Sequence, residues 1–282
     1  MLINGRELLK KAHQEKYAIC QFNINNLEWA RYILEECQAN NAPVILGASD
    51  GAVNYMGGFP TVVALVSSLI KDLKITIPVI LHYDHGTDID KCKLAINAGF
   101  TSIMIDASKH EIEKNIAITK QAVYYAHPHV SVEAEVGHIG GQEDDVIADI
   151  YYATLEDCIK IVQETEIDFL APALGSVHGL YKGAPNLNFT RMAEINQHLN
   201  LPLVLHGGSG IYDEQVKKAI SLGIAKINVN TDLQIAWSKA VRKFLTEDES
   251  VYDPRKIIKA GEAALKETIK NKLILTGSIN KA

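Results

Sequence analysis

The sequence predicts an α/β protein built as a single (β/α)8 barrel, with extra helices at the C-terminal end. Two observations carry this. Eight short apolar runs of β type alternate with amphipathic helical stretches along the 282-residue chain, the count that closes a parallel barrel. Polar clusters follow several of those runs, and a barrel of this TIM type keeps its chemistry at the C-terminal ends of its strands. A doubly wound open sheet is disfavoured because no G-x-G-x-x-G string follows the first run.

In chain order, strands are expected at residues 18–24, 43–48, 78–83, 102–106, 130–135, 169–174, 202–205 and 226–229. Several are nearly continuous apolar runs, as parallel strands covered by helices on the outer face should be. Helices are expected between them at residues 27–40, 60–73, 89–98, 112–126, 154–165, 191–198 and 213–222. Further helical segments follow the last strand, at 233–244 and 255–271. Gly99 and Gly223 stand just before a strand, where a left-handed helix cap is common. With no internal repeat, low-complexity run or linker, residues 1–282 are expected to form one domain.

The composition is that of a globular protein, 47% hydrophobic and 22% charged. No stretch approaches the ~20 apolar residues of a membrane span, and the start, Met1-Leu2-Ile3-Asn4-Gly5-Arg6, lacks the pattern of a signal peptide. A cytoplasmic protein with no membrane partner is expected. The net charge of −6 argues against a nucleic-acid partner. Cys20, Cys37, Cys92 and Cys158 form no C-x-x-C pair and read as buried thiols.

The polar clusters fall where a barrel would use them. The third run ends in His82-Tyr83-Asp84-His85-Gly86, the sixth in Gly175-Ser176-Val177-His178-Gly179, and the seventh in His206-Gly207-Gly208-Ser209-Gly210. The eighth ends in Asn228-Val229-Asn230-Thr231-Asp232. His85, His178 and His206 on one rim fit an open three-histidine zinc site acting as a Lewis acid, although imidazole also suits other divalent metals. His82, inside its run, reads as a supporting residue. His110, His127, His129, His138 and His198 read as surface or loop residues. The loops after the last two strands are the usual phosphate site of a barrel, where glycine lets main-chain N–H groups approach an anion. The fifth run carries Glu133 and Glu135 and leads into Gly140-Gly141-Gln142-Glu143-Asp144-Asp145. That stretch is either a solvated acidic face or a hinged lid carrying a general base. A metal, a phosphate pocket and spare carboxylates suggest enediolate chemistry on a phosphorylated ketone, or a metal-assisted hydrolysis.

These strings together, with Val132-Glu133-Ala134-Glu135-Val136-Gly137, resemble the class II, metal-dependent fructose-bisphosphate aldolases of the shorter bacterial type, a group that includes tagatose-bisphosphate aldolases. The resemblance runs from the first strand to Lys281-Ala282. It implies that His85, His178 and His206 bind zinc and that Asp84 exchanges the proton of the C4 hydroxyl as the C3–C4 bond breaks. It also implies that Glu143 moves the proton at C3 of dihydroxyacetone phosphate. Metal polarisation of the C2 carbonyl then replaces a lysine Schiff base. Gly179, Gly207, Gly208 and Ser209 are implied to hold one phosphate with a monovalent cation, Na+ or K+. Asn228, Asn230 and Thr231 match contacts to that phosphate and to substrate hydroxyls, and Asn23 and Ser49 resemble further substrate contacts. Lys182, Arg255 and Lys259 are candidates for the second phosphate, which a neighbouring subunit can serve in this family. Asp106 and Glu135 match a second metal position, with Glu133 behind the ligands. Tyr83 replaces a common leucine, a change expected to affect packing only. Leu180 matches tagatose-type enzymes, whereas Gly175-Ser176-Val177, Lys182-Gly183, Pro185-Asn186-Leu187 and Asn228-Val229-Asn230-Thr231 match the fructose type. The expected substrate is a sugar bisphosphate, fructose 1,6-bisphosphate, with the tagatose epimer as the alternative. The expected assembly is a homodimer or homotetramer using residues 251–272.

Three rivals make different demands. A zinc hydrolase requires neither the phosphate pocket nor a separate carboxylate on a lid. A class I aldolase would use Lys226 as an imine-forming nucleophile. A barrel that merely binds a sugar phosphate would not need Asp84 or Glu143.

Overall fold

In the computed structural model the described residues are 2–143, 146–148, 151–179, 181 and 183–282, and for 141–143 and 146–148 the description covers the backbone alone. Eight parallel strands close into a barrel: β1 (Ile19–Asn23), β2 (Val44–Ala48), β3 (Val79–Gly86), β4 (Ser102–Ile105), β5 (Ser131–Val136), β6 (Phe169–Pro172), β7 (Leu203–Leu205) and β8 (Ile224–Val229). Each strand pairs with its neighbours in sequence, and β8 pairs with β1. The expected helices follow their strands, among them Leu27–Ala39, Phe59–Asp72, Ile89–Ala98, Ile112–Ala126 and Leu155–Thr165. Local chemistry explains their starts: Asn26, Asp88, Thr154 and Asn188 each accept a main-chain N–H of the first turn, satisfying a donor the helix cannot.

The barrel separates two apolar clusters by strand parity. Outward residues such as Cys20, Phe22, Leu46, Leu81 and Tyr83 pack under the helices. Inward residues Ile19, Ile45, Ile80, Phe169 and Val204 fill the N-terminal end of the barrel together with Leu9 and Ala12 of an unforeseen helix, Arg6–Glu15. One layer up, the same inward positions turn polar at Gln21, His82 and Glu133, all buried. The interior therefore grades from hydrocarbon at the bottom to a buried polar floor beneath the site.

Two irregularities aim side chains at that site. In β3 the register steps from Tyr83↔Ile103 to Gly86↔Ile105, leaving one extra residue on β3. There His85 takes φ 51°, so that Asp84 and His85 both serve the rim. In β8, Leu203 pairs with Ile224 but Val204 pairs with Lys226, so Ala225 is the extra residue. Bulges of this kind re-aim side chains beside active sites. The third strand thus runs beyond the expected end at residue 83.

Other boundaries differ for identifiable reasons. The expected helix at 255–271 is two helices, Pro254–Lys259 and Glu262–Thr276. They meet at Gly261, where a Cβ would lie 2.1 Å from Trp237 Cδ1. A short helix, Asp50–Tyr55, follows β2 and is capped by Ser49. Gly140–Glu143 pairs antiparallel with Val146–Ala148 and parallel with Val177–His178.

Candidate active site

The C-terminal rim of the barrel gathers the predicted histidines. One ligand atom from each of His85, His178 and His206 falls within 4.8 Å of the others. Their ring centroids lie 4.6–5.7 Å apart. His206 is buried, and its Nε2 is 2.8 Å from Glu133 Oε1. This leaves Nδ1 facing the cluster, 2.9 Å from His85 Nε2. His85 in turn places Nδ1 3.2 Å from Asp106 Oδ2. An imidazole whose second nitrogen is held by a carboxylate is the usual arrangement of a metal ligand, and three nitrogen donors with no thiolate suit an open zinc-type site. The donor set therefore fits a divalent metal. His85, Asp106 and Glu135 form a second such group, also within 4.8 Å.

Asp84 lies beside the histidines and is fully buried. Its Oδ2 accepts from Gln21 Nε2 at 2.7 Å and from Asn23 Nδ2 at 3.4 Å, and its Oδ1 from Asn228 Nδ2 at 3.4 Å. Three amides thus orient one carboxylate. Glu135 is buried, and its Oε1 accepts from the Ile139 main chain. Burial, and then the neighbouring Asp106, push its carboxyl well above the usual range. Asp106 goes the other way: burial would raise it, but contacts with His85 and Ser108 hold it below the carboxylate range.

The loops after β7 and β8 sit where the sequence places them. Gly207 and Gly179 adopt φ of 63° and 82°. Ser209 Oγ accepts the N–H of Asp232 at 3.1 Å, joining the two loops. Asn228 Oδ1 and Asn230 Oδ1 are buried without a hydrogen-bond partner among the described residues. Gly208 donates its N–H to Asn228 O, and Thr231 opens the helix Thr231–Glu247. Asn23 and Ser49, both nearly buried, stand at the ends of β1 and β2. The Ser49 hydroxyl accepts the Ala52 N–H, so it also caps a helix. Lys182 and the Glu143 side chain lie outside the described residues, as does Leu180. Arg255 and Lys259 are exposed on the helix Pro254–Lys259, with the Arg255 guanidinium paired to Asp253. None of the described contacts joins either to the histidine cluster.

Other side chains also shape the site, and two of them, Gln21 and Tyr181, the sequence did not single out. Gln21 shares the inward parity of Asn23, the one signal that could have found it. Tyr181 Oη donates to Gly207 O at 3.0 Å and accepts from Val177 N at 3.2 Å, clamping the His178 segment to the loop after His206. Tyr83 does more than pack: its phenol donates to Asp50 Oδ1 at 2.6 Å, next to Ser49. Lys226 is 1% exposed and donates to Glu133 Oε2 at 2.6 Å. An ammonium engaged this way inside the barrel is a poor imine-forming nucleophile.

Comparison with known proteins agrees with this geometry. The family pattern described as "Fructose-bisphosphate aldolase class-II" matches residues 3–281. The fructose-bisphosphate aldolase of Geobacillus stearothermophilus is 56% identical over 283 residues, covering 100% of this chain and 99% of that protein. The fructose-bisphosphate aldolase of Staphylococcus aureus (strain Mu50) matches at the same identity and coverage. Among solved structures, the YdjI aldolase of Escherichia coli K12 superposes with a TM-score of 0.86 at 34% identity, covering 100% of both chains.

Proposed function

The chain belongs to the class II fructose-bisphosphate aldolase family, and on that footing we propose that it reversibly cleaves fructose 1,6-bisphosphate to dihydroxyacetone phosphate and glyceraldehyde 3-phosphate. The observation that carries this reading is the cluster of His85, His178 and His206 donors beside the buried, amide-oriented carboxylate of Asp84. Family membership makes the enzyme a metal-dependent carbon–carbon lyase. The curated relatives above carry the fructose name, which favours that substrate over the tagatose epimer.

In this reading the three imidazoles hold zinc, which supplies Lewis-acid polarisation of the C2 carbonyl when bound. Asp84 accepts the proton of the C4 hydroxyl as the C3–C4 bond breaks. Gln21, Asn23 and Asn228 keep its oxygens aimed, so little reorganisation accompanies proton transfer. Glu143, on the strand that pairs with the His178 segment, returns a proton to C3 to release dihydroxyacetone phosphate. Gly179 and Gly207 present main-chain N–H donors and Ser209 its hydroxyl to one phosphate, while Gly208, whose N–H goes to Asn228 O, brings the main chain close to it without a side chain. A Na+ or K+ ion assists them, and Asn228, Asn230 and Thr231 complete the contacts. Asn23 and Ser49 contact the substrate from the ends of β1 and β2, next to β8 in the barrel. Lys182 takes the second phosphate, with Arg255 and Lys259 supplied across a homodimer or homotetramer contact built on residues 251–272. Asp106 and Glu135 provide, with His85, the alternative metal position. No helix among the described residues is long and apolar enough to cross a membrane, and a cytoplasmic site of action suits the substrate.

A coupled cleavage assay tests this, with fructose and tagatose 1,6-bisphosphates side by side, before and after EDTA and with zinc restored. Activity on the fructose substrate should vanish with chelator, return with zinc, and give the larger kcat/KM. In the same assay Glu143→Ala should retain zinc yet lose ~10²–10⁴ in turnover, the usual worth of a positioned acid–base group. Activity that survives complete metal removal would refute the metal mechanism, and full turnover by Glu143→Ala would refute the role of Glu143.

A further inference from the structure

The proposed reaction makes no use of the buried ion pair of Lys226 and Glu133. Lys226 lies in β8 just after the extra residue Ala225, and this bulge turns it into the barrel interior. There its Nζ meets Glu133 Oε2 at 2.6 Å and His82 Nε2 at 3.5 Å. Glu133, reaching in from β5 on the other side of the barrel, gives its second oxygen to His206 Nε2 at 2.8 Å. Lys226, Glu133 and His206 are each no more than 1% exposed.

We propose that Lys226 is a positioning residue for the metal centre, acting through Glu133 on His206; this rests on the reading of His206 as a metal ligand. An ammonium can only donate, so Glu133 Oε2 accepts from it, and the carboxylate plane is fixed by that bond. Oε1 is then directed at His206 Nε2 and accepts its N–H. With the proton on Nε2, the lone pair of His206 is on Nδ1, the nitrogen that faces His85 Nε2 at 2.9 Å and Asn228 Nδ2 at 3.3 Å. Asn228 Nδ2 is a donor, so the contact on that side also asks for a lone pair on Nδ1. Lys226 therefore selects, through the single intervening residue Glu133, the tautomer and the ring orientation that a metal ligand needs. Packing alone does not call for lysine: a buried charge carries a large desolvation cost, and an apolar side chain of similar volume would fill the same space.

The test measures zinc affinity by competition with a chromophoric chelator, alongside the visible spectrum of the cobalt-substituted protein. Lys226→Met keeps the length of the side chain and removes its donors. Zinc binding should weaken about 10–100-fold, the range for lost supporting groups of a metal site, and the cobalt bands should change in position or intensity. The double variant Lys226→Met/Glu133→Gln removes both charges, and it carries the measurement if the single variant does not fold. It should bind zinc about as weakly as Glu133→Gln alone, because Lys226 acts only through Glu133. A folded Lys226→Met or double variant with wild-type zinc affinity and an unchanged cobalt spectrum would overturn the proposal, leaving Lys226 a stabilising residue. Wild-type protein that takes up no zinc or cobalt would instead overturn the metal reading itself.

Discussion

His82 sits one layer below Asp84, with Nδ1 2.8 Å from Ser102 Oγ and Nε2 facing Lys226. Burial, and after it the charge of Lys226, push its pKa down to about 3, against the pull of Glu133 and Asp84. Unfolded, the same ring titrates near ~6.5. Between those values the unfolded chain binds the proton that the folded chain refuses, so stability rises with pH across the window and falls on acidification, by up to about 1.4 kcal/mol per pH unit. Urea unfolding of the metal-free protein at pH 7 and pH 5 should therefore show His82→Gln losing roughly 1–2 kcal/mol less than wild type over that interval. Equal losses would mean that other groups carry the acid sensitivity. The histidines of the rim and Asp84 were legible in the sequence because each follows an apolar run. The link of Glu133 and Lys226 to His206 was not. Those charges sit on strands β5 and β8, which meet only across a closed barrel, and strand parity for Lys226 depends on a bulge that no local signal announces.

At the next scale, short segments between strands decide whether the ligands converge. Gly207 shows how. It holds φ 63°, and a Cβ there would stand 2.2 Å from Val177 O, on the segment that carries His178. No side chain fits unless that segment retreats, and its main chain is also paired with Gly140 and Gly141. Gly207→Ala should thus separate His178 from His206. Zinc affinity should drop about 10–100-fold, as when the supports of a ligand are disturbed, while far-UV circular dichroism stays that of the wild type. Unaltered zinc uptake would show that the close contact is not what holds the two ligands together. Most strands and helices were readable from apolar periodicity and caps, since Gly99 marks a helix end directly as its left-handed cap. The pairing of Gly140–Glu143 with Val177–His178 was not, because it joins two loops after different strands. The sequence left the glycine pair open between a solvated face and a hinged lid. In the structure the pair lies in a strand registered to a histidine of the rim. The split near Gly261 escaped notice because the ring of Trp237, which leaves no room for a Cβ there, lies 24 residues earlier.

Over the whole molecule, the two ends of the barrel divide chemistry from stability, as is usual for this architecture. The rim at the strands' C-terminal ends holds the strained and polar groups. The opposite end is closed by the N-terminal segment: Ile3 donates to Val79 O, Gly5 donates to Ser131 Oγ, and the helix Arg6–Glu15 lays Leu9 and Ala12 over the apolar floor. Arg6 and Asp168 fasten this cover. The guanidinium makes a two-pronged contact with the carboxylate and also donates to Pro128 O. Asp168 Oδ2 additionally accepts the Val132 N–H at 2.9 Å, at the start of β5. A bidentate pair of this geometry is worth more than an ordinary surface ion pair, although Arg6 keeps 29% of its side chain exposed, which lowers its value. Asp168→Ala strips acceptors from Arg6 and Val132 at once and should cost roughly 1–3 kcal/mol. In a chain of this size that amounts to a fall in Tm of about 2–10 °C. Because the clasp lies at the far end of the strands from His85, His178 and His206, kcat and zinc affinity at 25 °C should match the wild type. Scanning calorimetry and the cleavage assay on the same sample separate the possibilities. A lower Tm with unchanged kcat places Asp168 in the stability half of the barrel. A lost kcat at an unchanged Tm would mean that the polar layers of the interior, from Gln21 to Glu133, transmit strain from the floor to the rim.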